Sequence, residues 1–265
     1  MTSHDHSLHT GGHDTAAIPG LSLSAPGILL SPVQAPAEVG VAGTLSFHLL
    51  DDADSVIREL DTVHDRALHL IVVRSDGQHF AHVHPTLDAG TGAWSLPWTW
   101  SAAGSYRVFV DVVPTGGAPA TLTRTLHVAG AFTPVAPVPS TRADTGDLTF
   151  TLAGAMRAGE PSALTITVTR DGDPVTTLEP YLGAFGHLIA LRDGDFGFLH
   201  VHAEGDEARA GTTSGPDLTF VAHAPSPGLY LLYLDVQIDG VVHTAPFVLV
   251  AEAPVNAHTA DHSGH

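Results

Sequence analysis

The chain of 265 residues contains no cysteine. This absence excludes disulfide bonds and thiolate metal sites, so any bound metal ion must have imidazole, carboxylate or backbone oxygen ligands. Basic residues are also few: ten Lys and Arg stand against 28 Asp and Glu, which gives a formal net charge of −18. Nucleic acids and anionic membrane surfaces repel such a chain, so neither is an expected partner, whereas cations are attracted to it.

Long hydrophobic runs are missing as well. The apolar stretches have the length of strands and the first residues are polar, so the sequence predicts neither a transmembrane helix nor a signal peptide. Taken literally, this pattern indicates a cytoplasmic protein. A cysteine-free composition rich in Thr, Pro and Gly is also common in exported β-proteins, and the compartment therefore stays open.

Histidine, by contrast, is abundant. The chain has 19 histidines, and some of them lie in an internal repeat. Residues 69–84 and 187–202 share His, Leu, Ile, Arg, His, Val and His at a constant offset of 187 − 69 = 118. A second match places Asp111 and Asp235 in equivalent apolar segments, at an offset of 235 − 111 = 124. These two matches indicate that the chain arose by duplication.

Short β-branched and aromatic runs bounded by Gly and Asp turns fill both copies. The sequence therefore predicts an all-β protein with two tandem immunoglobulin-like β-sandwich domains from an internal duplication. The predicted order is a His-rich flexible tail (residues 1–18), the first repeat (19–130), a Pro-rich linker (131–143), the second repeat (144–252) and a His-rich flexible tail (253–265).

Strand geometry places three histidines of each repeat together. If residues 68–84 form a hairpin that turns at Asp76 and Gly77, His69 lies opposite His84, and His82 shares a face with His84 because side chains alternate. Directly opposed residues also share a face, so the three imidazoles converge. An odd-numbered loop or a bulge would break this parity.

Each repeat also has an aspartate inside an otherwise apolar strand, where a carboxylate is costly unless it is paired or binds a metal. It could be a fourth ligand or an acceptor that holds an imidazole N–H. His64 aligns with Leu182, so any role of His64 would be specific to the first repeat. The predicted metal-site residues are His69, His82, His84 and Asp111 in the first repeat and His187, His200, His202 and Asp235 in the second.

The ligand types narrow the choice of metal. Imidazole and carboxylate without thiolate suit Cu(II), Zn(II), Ni(II) or Fe(II), with copper first by affinity and zinc close behind. A structural role for the histidines, as a buried hydrogen-bonded cluster, is the alternative to metal binding.

A family resemblance points the same way. The segments Glu179–Asp195 and Phe198–His202 resemble those of bacterial two-repeat proteins described as heavy-metal-associated or YtkA-like. The resemblance implies an immunoglobulin-like fold, a link to metal and an exported, membrane-anchored location.

Three functions follow as hypotheses. The leading one is a transition-metal binding protein for copper storage, delivery or resistance, whose partners are metal ions and a protein that donates or accepts them. Two similar sites fit capacity or handover better than one tuned active site. The alternatives are a mononuclear metal enzyme, such as a copper oxidase or zinc hydrolase, and an adhesion or assembly module with structural histidines.

Overall fold

The computed structural model describes residues 18–199, 201–203 and 208–254, and within these ranges the protein contains strands and turns but no helix. The first repeat forms ten strands: β1 (Ser24–Ala25), β2 (Ile28–Leu30), β3 (Gly43–Phe47), β4 (Leu49–Leu50), β5 (Leu68–Arg74), β6 (Ala81–Val83), β7 (Thr86–Leu87), β8 (Trp94–Trp98), β9 (Gly104–Val112) and β10 (Ala120–Val128). They make three sheets, in the orders β1-β2-β4, β3-β8-β7 and β10-β9-β5-β6.

The second repeat forms two sheets. Its strands are β11 (Arg142–Thr145), β12 (Leu148–Ala153), β13 (Met156–Arg157), β14 (Pro161–Arg170), β15 (Asp173–Pro174), β16 (His187–Arg192), β17 (Phe198–Leu199), β18 (Val201–Ala203), β19 (Asp217–His223), β20 (Gly228–Ile238) and β21 (Val241–Glu252). One sheet has the order β11-β12-β14-β19-β18, with β15 beside β14, and the other has the order β13-β21-β20-β16-β17.

Each repeat is an immunoglobulin-like sandwich with its own apolar core. The same tyrosine arrangement appears in both: the hydroxyl of Tyr106 donates to the carbonyl of Ala102 at 2.9 Å, and that of Tyr230 donates to the carbonyl of Ser226 at 2.8 Å. Both tyrosines are buried. A buried tyrosine that bonds the backbone four residues upstream is typical of immunoglobulin-like sandwiches, so the duplication predicted from sequence extends to this detail.

A third apolar cluster joins the two repeats through the faces of β5, β9, β16 and β20. Three pairs of equivalent positions contribute to it: Ile71 and Ile189, Val73 and Leu191, and Phe109 and Tyr233. Phe196 and Leu231 of the second repeat complete its buried members. We call this cluster the inter-repeat core. It forms because β5 and β16 are apolar on both faces, one of which fills its own sandwich while the other meets the neighbouring repeat.

The hairpin tip of the first repeat seals the edge of the inter-repeat core. Phe80 stacks on Tyr233 with ring centroids 4.0 Å apart, and the Tyr233 hydroxyl donates to the carbonyl of Gly77 at 2.6 Å. Gly77 has φ +78°, and a Cβ there would lie 2.7 Å from Cδ1 of Leu231. Glycine therefore satisfies both the left-handed turn and the close approach of the second repeat.

The connection between the repeats lies against the first repeat. The backbone N–H of Val135 donates to Oδ2 of Asp76 at 3.0 Å, and the guanidinium of Arg74 lies 4.9 Å from the centre of the Phe132 ring. Arg74 and Asp76 form a buried ion pair at 2.8 Å that orients both groups. The predicted flexible tails lie almost entirely outside the described residues.

Candidate metal centre

The β5–β6 hairpin has the register that the histidine spacing predicts. Ile71 pairs with His82 and Leu70 with Val83, so the same count places His69 opposite His84. One nitrogen from each of these three histidines lies within 4.8 Å of the other two. Nδ1 of His69 is 3.0 Å from Nε2 of His82 and 3.2 Å from Nε2 of His84. The predicted convergence of the three imidazoles is confirmed.

Hydrogen bonds on the far sides of two rings fix which nitrogen faces the centre. Nε2 of His69 lies 3.0 Å from the carbonyl oxygen of Val63, which only accepts, so this nitrogen carries the hydrogen. Nδ1 of His82 likewise donates to Oδ2 of Asp235 at 2.9 Å. In the neutral rings, Nδ1 of His69 and Nε2 of His82 therefore face each other with lone pairs. Two such nitrogens 3.0 Å apart call for a proton or a metal ion between them.

Burial keeps two of the rings neutral well below pH 7. The pKa of His69 is lowered from 6.5 to about 4, chiefly by burial and further by the nearby His82, His187 and His64, against a raising contribution from its bond to Val63. The pKa of His84 is lowered to about 3, again chiefly by burial. Imidazoles must be neutral to bind metal, so these rings are ready to act as ligands at physiological pH.

The carboxylate that orients His82 comes from the other repeat. In β20, Asp235 is buried and accepts from the Thr244 hydroxyl at 2.5 Å through its other oxygen. The sequence predicted that each aspartate serves the histidines of its own repeat. For Asp235 the described bond is instead to His82, because the inter-repeat core brings the two equivalent sheet faces together, and a pairing across repeats leaves no trace in the spacing along the chain.

The second repeat reproduces part of the same arrangement. His187 pairs with Asp235 in the β16–β20 ladder, as His69 pairs with Asp111 in the β5–β9 ladder. Nε2 of His187 lies 2.9 Å from the carbonyl oxygen of Tyr181, the position equivalent to Val63. The pKa of His187 is lowered to about 4, chiefly by burial. Asp111 accepts from the hydroxyl of Thr121 at 2.8 Å, as Asp235 does from Thr244.

Two predicted histidines of the second repeat have side chains outside the described part of the structure. His200 lies outside the described residues, and His202 is described only as part of the β18 backbone, paired with Val221. The segment after β16 also differs from its counterpart in the first repeat, where one strand, β6, pairs with β5. Here β17 pairs with β16, and β18 then joins the opposite sheet beside β19. The second predicted histidine triad stays a prediction.

One histidine that the repeat pattern did not single out lies beside the centre. The His64 ring centroid is 6.1 Å from that of His69 and 5.1 Å from that of His187. Its alignment with Leu182 gave no sequence signal for such a position. His64, His69, His82, Asp111 and His187 all line one cleft of about 1700 Å³, so residues of both repeats share a single compartment.

The donor set suits a transition metal. Two ligands at ~2.0–2.1 Å from a tetrahedral ion lie about 3.3 Å from each other, and two of the three nitrogen separations in the triad, 3.0 and 3.2 Å, approach this value. Calcium prefers six to eight oxygen ligands, which these rings do not provide. Zn(II), Cu(II) and neighbouring divalent ions accept several imidazoles.

Comparison with known families agrees with the duplication. The profile of DUF8832, a domain of unknown function, matches residues 29–130 and again residues 141–253. This chain belongs to the DUF8832 family. The two matches correspond to the two sandwiches, and the family description names no activity, so the YtkA-like resemblance stays an expectation. No curated protein matches the chain at a significant level.

The chain is also similar, at low identity, to several solved structures. The D00-D0 domain of intimin is 12% identical, with coverage of 84% of this chain and 100% of that chain and a TM-score of 0.25. Invasin, titled a bacterial integrin-binding protein, is 14% identical, with coverage of 85% of this chain and 39% of that chain and a TM-score of 0.23. Salmonella alpha-2-macroglobulin reacted with methylamine is 15% identical, with coverage of 87% of this chain and 16% of that chain and a TM-score of 0.26. Similarity this low carries no argument about function.

The described residues include no helix that is long and apolar enough to cross a membrane.

Proposed function

We propose that this DUF8832 protein binds a transition metal ion through His69, His82 and His84, and that it serves copper storage, delivery or resistance. The observation that supports the proposal most is the convergence of three imidazole nitrogens, two of which have lone pairs fixed by hydrogen bonds behind the ring. A metal ion would satisfy both lone pairs at once, whereas a proton between them would make a hydrogen-bonded cluster instead.

Copper is the first choice of metal and zinc the second. Divalent copper has the highest affinity for a given nitrogen site in the first-row series, and zinc tolerates the same ligands. The net charge of −18 raises the local concentration of either cation. The resemblance to heavy-metal-associated proteins supports the same choice, and one site in each repeat remains part of the proposal.

A second candidate function is a mononuclear metal enzyme. Three protein ligands beside a cleft leave a coordination position for water or substrate, which is how catalytic zinc sites are built. A metal bound in this way lowers the pKa of its water and polarises a substrate oxygen. The storage proposal requires only that the same position exchange ligands with a donor or acceptor protein.

Calorimetric titration of the untagged full chain with Cu(II) and Zn(II) tests the proposal. Replacing His82 and His84 with Ala should remove one equivalent of bound metal, because two of the three ligands are lost. The matched control is His79→Asn with His127→Ala, which removes two exposed histidines of the same repeat that bond serine hydroxyls.

The two double variants carry the same number of histidines and the same tails, so a difference in their metal stoichiometry does not come from the tails. Equal stoichiometry in the two variants would overturn the proposal. Screens for oxidase and hydrolase activity on the metal-loaded protein then separate storage or delivery from catalysis: turnover that is lost in the His82 and His84 variant favours the enzyme.

A further inference from the structure

The histidine cluster extends beyond the triad and across the boundary between the repeats. His64 belongs to the turn before β5, and His187 begins β16 of the second repeat. Their rings lie 5.1 Å apart, centroid to centroid, at an interplanar angle of 77°. His187 is also within 6.5 Å of the His82 ring, so the pair lies next to the triad rather than in a separate region.

The ring geometry of this pair matches that of the triad. The three ring separations within the triad are 5.3 Å for His69 and His82, 5.0 Å for His69 and His84, and 5.0 Å for His82 and His84. The 5.1 Å between His64 and His187 falls in this range. Imidazoles at this spacing can direct one nitrogen each toward a common ion.

His187 presents its nitrogen as His69 does. Its Nε2 is occupied by the carbonyl of Tyr181, as that of His69 is by the carbonyl of Val63, so Nδ1 is the nitrogen left with a lone pair. In His69 the same Nδ1 is the atom that enters the triad. The bonding behind the ring thus prepares His187 as a ligand independently of its distance to His64.

The backbone of His64 is held in an uncommon conformation that brings its ring to this position. Its φ is +50°, and the Asp65 that follows has φ +58°. The backbone N–H groups and carbonyls of Val63 and Arg66 bond each other across this turn at 2.9 and 3.1 Å. Histidine is among the few residues that adopt this region with some frequency, and the turn orients the side chain toward the second repeat.

We propose that His64 and His187 are ligands of a second transition metal ion, so that this ion is bound by both repeats at once. The inference deepens the proposed function and rests on it, since it assigns the second ion a ligand from the first repeat that the repeat pattern does not predict. Water or further side chains complete its coordination. An ion held in this way fastens the two repeats beside the inter-repeat core.

The test measures stoichiometry and affinity for Zn(II) and Cu(II) by calorimetry on the full chain and on His64→Asn. Asparagine also tolerates positive φ, so the turn is kept while the imidazole is lost. His79→Asn is the control, because His79 is equally exposed and has φ +52°. His82→Ala with His84→Ala separates the first ion from the second.

We expect the unmodified chain to bind at least two ions at ordered sites. In His64→Asn the affinity for one of them should fall by about 100-fold or more, because loss of a ligand costs more than the ~10–100-fold typical of an outer-shell partner. The ion removed by the His82 and His84 change should keep its affinity in His64→Asn. The His79→Asn control should match the unmodified chain.

The other outcomes separate this inference from the function beneath it. No bound metal at all would overturn both. A single ion that disappears in the His82 and His84 variant would support the proposed function and overturn the second site. Two ions with affinities unchanged in His64→Asn would likewise show that His64 is not a ligand.

Discussion

Replacing Asp235 with Asn tests whether the second repeat controls the metal site of the first. The carboxylate fixes the tautomer of His82 by accepting from Nδ1 at 2.9 Å, and both side chains are almost fully buried, at 2% and 4% exposure. Water therefore does not replace the lost charge. The substitution keeps the size of the side chain and leaves His69, His82 and His84 in place.

The magnitude follows from the two hydrogen bonds of the carboxylate. One oxygen of Asp235 accepts from Thr244 and the other from His82, whereas an amide has one oxygen only. If the amide oxygen of the new side chain faces His82, the hydrogen bond remains but loses its charge. If the amide NH₂ faces His82 instead, Nδ1 of His82 must accept, and Nε2 of His82 then carries the hydrogen and cannot bind the metal. We expect affinity for the first ion to fall ~10–100-fold, or about 1.4–2.7 kcal/mol.

The assay measures the affinity of the full chain for Zn(II) or Cu(II) by competition with a chelator at pH 7. Asp144→Asn is the matched control, since Asp144 is also in the second repeat and accepts from a threonine hydroxyl, that of Thr149, but is exposed. Thermal unfolding of both metal-free variants checks that they fold. An affinity within threefold of the unmodified chain, or an equal loss in Asp144→Asn, would refute the reasoning.

Three further predictions concern pH and packing. Unfolded histidine has a pKa near 6.5 and folded His69 one of about 4, so His69 alone should cost the metal-free protein about 3 kcal/mol of stability as pH falls from 6.5 to 4, with no effect of this group above pH 7. The pKa values of His84 and His187 are also lowered, so their losses add to this one. Urea unfolding with chelator present measures the total loss, and a flat profile would contradict the burial of these histidines. Because protons compete for His69 and His84 only below their lowered pKa values, Zn(II) release should occur mainly below pH 5, lower than the window of about 6 to 5 expected for ordinary histidines. Half-release above about pH 6 would show that these two rings protonate normally. Gly77→Ala should lower the free energy of unfolding by about 1–3 kcal/mol more than the control Gly116→Ala. Both glycines have φ +78°, but only a Cβ at Gly77 would meet Leu231. Equal losses in the two variants would mean that this contact is unimportant.

The sequence predicted the triad because strand parity is a local property. The alternation along β6 and the turn at Asp76 and Gly77 determine which side chains share a face, and no knowledge of the other repeat is needed. The β-sandwich class was predictable for the same reason, since the strand and turn signals recur in both copies.

The arrangement between the repeats was not predicted, although one signal was present. In β5 every residue from Leu68 to Arg74 is buried, and an apolar run without alternation indicates a strand covered on both faces. That pattern could have revealed the inter-repeat core. The bond from His82 to Asp235 and the position of His64 beside His187 had no such signal, because residues 153 and 123 positions apart meet only through that packing.

The bond between His82 and Asp235 also says something about how such a site can arise. A chain with a single repeat would contain the equivalent histidines, yet the buried carboxylate that orients one of them would belong to another molecule. Equivalent positions of the two repeats meet in the inter-repeat core, as they do in a symmetric homodimer, where one surface patch contacts its own copy. A chain of half this length would form this bond only by pairing with itself, whereas in a duplicated chain the same step is intramolecular. In the present chain the bond from His82 to Asp235 forms within one molecule, so it does not depend on the concentration of the protein.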